Sequence, residues 1–224
     1  MTAPRSLRVA PRGLVGDEKP KAQEELPLLA FDTSGPYCAA SLLLPDRVIQ
    51  RLEPMEKGQA ERLIPLLEGL LAEAGLDWSD LKALAVGTGP GNFTGVRIAV
   101  AAARGLALGL GIPAIGVTRL EALAHGLPRP VMVIEDARRG QAYVQLFTPA
   151  GTGEAHLADR VAPACPATGS AAGDKALPPA MPLAEAIARI AASRAATPQP
   201  RPAPFYLRGA DAAPMRDPPP RILP

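Results

Sequence analysis

Eleven residues in the middle of the chain, Gly87-Thr88-Gly89-Pro90-Gly91-Asn92-Phe93-Thr94-Gly95-Val96-Arg97, constrain its fold most. They join an apolar strand-like run, Leu84-Ala85-Val86, to an alanine- and glycine-rich run that reads as a helix over 94–110. Four glycines around one proline permit positive φ or a close approach of backbone, and Pro90 fixes the turn. A strand–glycine loop–helix unit also aims free N–H groups at a helix N-terminus, where an anion or a tightly docked surface is favoured. The usual phosphate loops do not fit. A P-loop needs a lysine and a hydroxyl residue at the helix start, and no lysine follows here. The dinucleotide fingerprint fails because Asn92 stands where its third glycine belongs. Arg97 falls in the first helical turn, where the helix dipole disfavours a cation by about 0.3–1 kcal/mol. A carboxylate, phosphate or partner group is expected to offset that cost, and a surface salt bridge is the plainer alternative.

The 224 residues suffice for one domain or two small lobes. A formal charge of +2 is too mild for a dedicated nucleic-acid binder, although it allows nucleic-acid contact shared with another protein. Cys38 and Cys165 make no disulfide framework, and His125 and His156 belong to no metal-ligand spacing. No metal site is therefore expected. Residues 98–117 carry a single charge, Arg104, yet a central arginine costs about 2.5–3.5 kcal/mol in a membrane span. With Pro113 inside it, the run reads as a soluble helix followed by a strand, not a membrane segment. Residues 1–26 mix basic and acidic side chains and read as a disordered extension; 209–224 form a Pro-rich tail.

Leu28-Leu29-Ala30-Phe31 predicts a strand ending at the polar turn Asp32-Thr33-Ser34-Gly35, with further strands over 37–44 and 47–53. Leu63, Leu66, Leu67, Leu70 and Leu71 recur at helical spacing between Gly58 and Gly75, and burying them gives roughly 8–15 kcal/mol of gross stabilisation. A strand over 112–117 and a short helix over 118–124 follow, the latter with Thr118 as cap and Glu121 at its third position. The plan then restarts at Pro130–Ala137, with a turn at Arg138-Arg139-Gly140 and a second strand over 141–147. This gives a first lobe over 27–127 and a shorter second lobe over 128–208, whose one clear helix is 182–195. Such a duplicated α/β plan is that of the actin-like/sugar-kinase two-lobe fold with an abbreviated second lobe.

Four segments carry a family resemblance: Asp32-Thr33-Ser34, Gly89–Ile98, Gly116–Ala124 and Asp136–Gly140. Together with the closing Pro204-Phe205-Tyr206-Leu207-Arg208, they resemble the TsaB (YeaZ) family over residues 27–208, in register and order. Its members are bacterial subunits for making threonylcarbamoyladenosine in tRNA. Asn92 replaces the family's usual serine, Val96 a leucine, and Gln59 a histidine before the leucine-rich helix. Asparagine caps as serine does; the loss of the histidine counts against a proton-transfer role at that position. The related TsaD family carries a His-x-x-x-His metal pair whose matching positions here are Arg119 and Leu123. Neither can ligate a divalent metal.

The resemblance implies a chain without transferase chemistry or a cofactor of its own, with ATP and metal used by partner subunits. Its expected partners are a TsaD-like transferase, a TsaE-like ATPase and, through the complex, tRNA; alone, it self-associates. Ala101, Gly105 and Gly109 form a smooth stripe below Arg97 that could meet a partner helix or pack on the lobe's own sheet. The motif loop, Gly89, Pro90, Gly91, Asn92, Phe93, Thr94 and Gly95, would orient that helix. Asp32 could hold a magnesium-bound water or close an Asx-turn, and Asp136 is the analogous acid of the second lobe. Arg138 and Arg139 could meet tRNA phosphates or occupy a solvated hairpin turn. A stand-alone nucleotide phosphotransferase or ATPase of the same architecture is the alternative from another class, and a metallopeptidase-like hydrolase is disfavoured by the missing ligands.

Overall fold

The computed structural model describes residues 26–159 and 161–208. The expected extension over 1–26, apart from Leu26, and the tail over 209–224 lie outside the described residues. Two sheets form the frame. In the first, β1 (Leu28–Asp32) pairs antiparallel with β2 (Tyr37–Leu43), and β2 with β3 (Val48–Pro54). On its other side, β1 runs parallel to β4 (Ala83–Gly87), and β4 to β5 (Ala114–Val117), giving the order β3-β2-β1-β4-β5.

Burial explains the continuous apolar run of β1. Leu29 and Phe31 face one cluster, with α1 (Gln59–Ala74) and α2 (Phe93–Leu110); Leu28 and Ala30 face the opposite one. A strand covered on both sides loses the polar–apolar alternation of a half-exposed strand. The α1 leucines all point inward, and Gly75 ends the helix in the left-handed conformation at φ 69°. Asn92 caps α2 by accepting from the Gly95 N–H at 3.0 Å, and Thr118 caps α3 (Arg119–Ala124) by accepting from the Glu121 N–H at 3.1 Å.

The second sheet is built around the hairpin of β6 (Val131–Asp136) and β7 (Gln141–Thr148). Three short strands extend it: β8 (Gly151–Thr152) and β9 (His156–Asp159) pair with β7, and β10 (Ala167–Thr168) runs parallel to β6. Leu120, Leu123 and Ala124 of α3 pack against Val131, Val133 and Phe147 of this sheet.

Residues 183–192, which fall in the span 128–208 that the sequence assigns to the second lobe, lie instead against the first sheet. There, α4 (Leu183–Ala192) buries Ile187, Ala188 and Ala191 on Leu28, Ala30, Ala83 and Ala85. A five-stranded sheet with α1 and α2 on one face leaves an apolar second face, and α4 covers it. The chain then runs through an extended segment with proline at 198, 200, 202 and 204. Pro202 lies against Gly116 of the edge strand β5, where a Cβ on the glycine would sit 3.6 Å from the proline ring.

Candidate functional site: the inter-lobe cleft and the face of the second helix

The glycine loop is packed against its own chain. Asp32 ends β1 and closes an Asx-turn, its Oδ1 accepting from the Ser34 N–H at 3.0 Å and from the Ser34 hydroxyl at 2.8 Å. The loop lies on this turn. Asn92 N–H donates to Ser34 O at 2.7 Å, and the Thr33 hydroxyl donates to Gly95 O at 2.6 Å. A Cβ at Gly95 would fall 1.9 Å from Thr33 O, and one at Gly91 would fall 2.6 Å from Ser34 O. Those two glycines therefore serve backbone contact with the Asp32-Thr33-Ser34 turn. Gly89 supplies a positive φ of 90°, and its carbonyl accepts from the Arg119 N–H at 2.7 Å.

Arg119 fills the space between the lobes. Its Nε donates to Glu135 Oε2 at 2.8 Å, and its Nη1 donates to the Tyr37 hydroxyl. Glu135 is buried at the end of β6, and its other oxygen accepts from the Ser170 N–H at 2.8 Å. The chain of contacts thus runs from β2 through α3 to β6 and the turn after β10. Burial pushes the Tyr37 phenol above its ordinary range and the charge of Asp32 adds to this, outweighing Arg119. Burial alone would lower the Arg119 pKa, but Tyr37, Glu135 and Asp32 together raise it, so the guanidinium stays charged. Asp32 Oδ2 has no hydrogen-bond partner among the described residues and is pressed close to Gly87, where a Cβ would meet it at 1.9 Å.

A nucleotide held as actin-like folds hold it would need this cleft and the N–H groups of the glycine loop. A charged guanidinium, a phenol and a buried ion pair occupy the cleft, and the loop is bonded to the Asp32–Ser34 turn. These residues do not fit the group.

The outer surface of α2 is the second feature. Its inner stripe consists of Gly95, Val96, Ala99, Val100 and Ala103, which let it lie close to the sheet. Ala101, Gly105 and Gly109 are exposed, and a Cβ at either glycine would meet nothing within 4 Å. Between α2 and α1, Ile64, Trp78, Gly105, Leu106, Gly109 and Leu110 line an open hollow of about 410 Å³. Leu108 beside it is 79% exposed. Length and composition alone would let α2 cross a membrane, but here it is the crossover between parallel strands β4 and β5.

Among the described residues, no carboxylate pairs with Arg97. Its Nε donates to the Tyr206 hydroxyl at 3.0 Å, and its guanidinium lies 3.9 Å from the centre of the Phe93 ring. Arg138 and Arg139 sit in the β6–β7 turn with φ of 62° and 55°, and Asp136 Oδ1 accepts from the Arg138 N–H at 3.0 Å. The hydrogen bond described for Arg138 stays within the β6–β7 turn. The sequence singled out neither Tyr37, Glu135 nor Ser170. The one signal was Arg119 itself, a cation in the first turn of a helix, which calls for a compensating acid.

The family described as TsaD: tRNA N6-adenosine threonylcarbamoyltransferase matches residues 53–218 of the chain. YeaZ from Pseudomonas aeruginosa superposes with a TM-score of 0.67 at 30% identity, covering 80% of this chain and 99% of that one. The chain belongs to the TsaB/YeaZ family. Two further relatives are named tRNA threonylcarbamoyladenosine biosynthesis protein TsaB. That of Escherichia coli K12 is 38% identical over 121 residues, 52% of each chain. That of Haemophilus influenzae is 35% identical over 125 residues, 54% of this chain and 53% of its own. The chain thus spans about half the length of these curated relatives.

As a TsaB/YeaZ chain, it has the actin-like two-lobe α/β fold with a reduced second lobe. At the two positions that match the metal pair of the TsaD resemblance, Arg119 is bound to Glu135 and Leu123 is buried in the core beneath α3. Among the described residues, no three His, Cys, Asp or Glu side chains converge on one point.

Proposed function

We propose that this TsaB/YeaZ-family chain is a non-catalytic scaffold and activator in the formation of threonylcarbamoyladenosine in tRNA. It pairs with a TsaD-like transferase and a TsaE-like ATPase, and the transferase moves threonylcarbamoyl from its adenylate to the adenosine beside the anticodon. The observation that carries this reading is the bare face of α2. Ala101, Gly105 and Gly109 leave room for a second helix backbone, and the adjoining hollow and exposed Leu108 offer apolar area. The Arg119 ion pair supports it, since a cleft filled by the chain's own side chains leaves the chemistry to a partner.

In this reading ATP and metal are held by the partner subunits, tRNA is reached through the complex, and the work is done in the cytoplasm. Without its partner, the chain self-associates through the same α2 face, so a homodimer competes with the working heterodimer. Arg138 and Arg139 are its candidate contacts to tRNA phosphates.

The test is reconstitution of tRNA modification with TsaD-like and TsaE-like proteins, threonylcarbamoyl adenylate and this chain. Modification is expected to depend on the chain and to be lost with Gly105→Leu, which keeps the fold but fills the docking face. Modification that proceeds without the chain, or ATP turnover by the chain alone at ordinary enzyme rates, overturns the scaffold reading.

A further inference from the structure

The last described residues, Phe205 to Arg208, cross from one lobe to the other. The Phe205 N–H donates to Thr88 O at 2.8 Å, which fixes the segment to the start of the glycine loop. Tyr206 then turns outward. Its ring lies 5.1 Å from that of Phe93 at an interplanar angle of 30°, and its hydroxyl accepts from Arg97 Nε at 3.0 Å. Leu207 packs against the apolar cluster that α3 forms with the second sheet, and Arg208 donates to Gln141 Oε1 on β7 at 2.5 Å.

Phe93 and Tyr206 are 42% and 44% exposed. Neither ring is part of a core, and together with Arg97 they form a raised platform at the N-terminal end of the bare α2 face. No carboxylate among the described residues pairs with Arg97. Tyrosine, phenylalanine and arginine in such a cluster are the residue types that dominate protein–protein contacts when their rotamers are set beforehand. α2 carries two arginines and no acid, so the partner surface that suits it is apolar with a carboxylate opposite Arg97.

We propose that the Phe205–Arg208 strap is a positioning element of the docking face. Tyr206 presets Arg97 and Phe93 for a TsaD-like partner chain, while Leu207 and Arg208 anchor Tyr206 to the second lobe. This rests on the docking role proposed for α2. Fixing a long arginine side chain before contact lowers the conformational entropy lost on association. The strap also makes the arrangement at α2 dependent on the position of the second lobe.

A double-mutant cycle for binding to the TsaD-like transferase tests it, using Tyr206→Phe, Arg97→Gln and the two combined. Tyr206→Phe keeps the ring and its stacking, so its melting temperature should match that of the wild type. Its affinity is expected to fall about five-fold, that of Arg97→Gln further, and the double variant is expected to bind no more weakly than Arg97→Gln. Wild-type affinity of Tyr206→Phe, or penalties that multiply in the double variant, overturns the strap inference. Gly105→Leu separates the two readings. If it binds as the wild type does, the docking reading falls and takes the strap with it. If it fails to bind while Tyr206→Phe binds normally, only the strap inference falls.

Discussion

Arg119 Nε donates to Glu135 Oε2 at 2.8 Å, and this one bond joins the first turn of α3 to the end of β6. Both partners are largely withdrawn from water, with side chains 20% and 9% exposed. Removing one leaves the other charged and unpaired in a closed cleft. Arg119→Met is therefore expected to lower stability by about 3 kcal/mol, and Arg119→Met combined with Glu135→Gln by clearly less. Urea unfolding of Arg119→Met, Glu135→Gln and the double variant measures this. Losses that simply add would mean that the two side chains do not act as a pair.

The two kinds of glycine in and around α2 should respond in opposite directions to the same substitution. Gly95→Ala drives a methyl to within 1.9 Å of Thr33 O and is expected to cost more than about 3 kcal/mol, since backbone on both sides has to shift. At Gly105 the methyl meets open space, and Gly105→Ala gains helix propensity of about 0.5–1 kcal/mol. Thermal unfolding of the isolated protein distinguishes the two. Equal destabilisation would contradict the close contact at position 95.

Cys38 lies buried on β2, and burial together with the nearby Glu53 pushes its thiol up to about 11. A thiol that is both inaccessible and protonated does not react with alkylating reagents at neutral pH. In the folded protein, one of the two cysteines, Cys165, should be labelled quickly, and Cys38 only on the timescale of unfolding. Mass spectrometry after a short pulse of iodoacetamide reads this directly, and rapid labelling of Cys38 would count against its burial.

Burial and the charges of Arg189 and Arg129 hold the His125 imidazole below its usual 6.5. Above that pH the ring is neutral in both folded and unfolded chains and adds no pH dependence. As pH falls through 6.5, the unfolded chain takes up its proton first, so stability declines toward the lower folded pKa. His125→Gln is expected to flatten the stability profile on the acid side of pH 6.5. The titration of the ring followed by NMR checks the same shift, and a midpoint above 6.5 would contradict it.

Most of the first sheet is legible in the sequence because its signals are local. The leucine spacing of α1, the caps Asn92 and Thr118, and the stop at Gly75 each act within a few residues, and the structure keeps them. The Asx-turn at Asp32 is local as well. What the sequence hides is long range. Glu135 ends an apolar strand and looks like its solvent-facing tip, yet it is buried because Arg119, sixteen positions earlier, reaches it. The stripe at Ala101, Gly105 and Gly109 cannot be told by spacing from the stripe at Gly95, Ala99 and Ala103, and only the crossover geometry decides which faces the sheet. Three short strands after residue 150 are equally hidden, because two- to four-residue strands among Ala, Pro and Gly carry no periodicity. The placement of α4 follows from an uncovered sheet face, which exists only after the strands have assembled.

The alternating prolines beside β5 bear on how the molecule can be joined to others. An edge strand is a template on which a foreign strand can add, and a proline-bearing neighbour offers no continuous row of N–H donors for such growth. With Pro202 packed against Gly116, a strand approaching the β5 side of the first sheet meets a proline-bearing neighbour. Such a neighbour disfavours open-ended sheet extension at that end, whereas a contact through helices terminates once the two faces are matched.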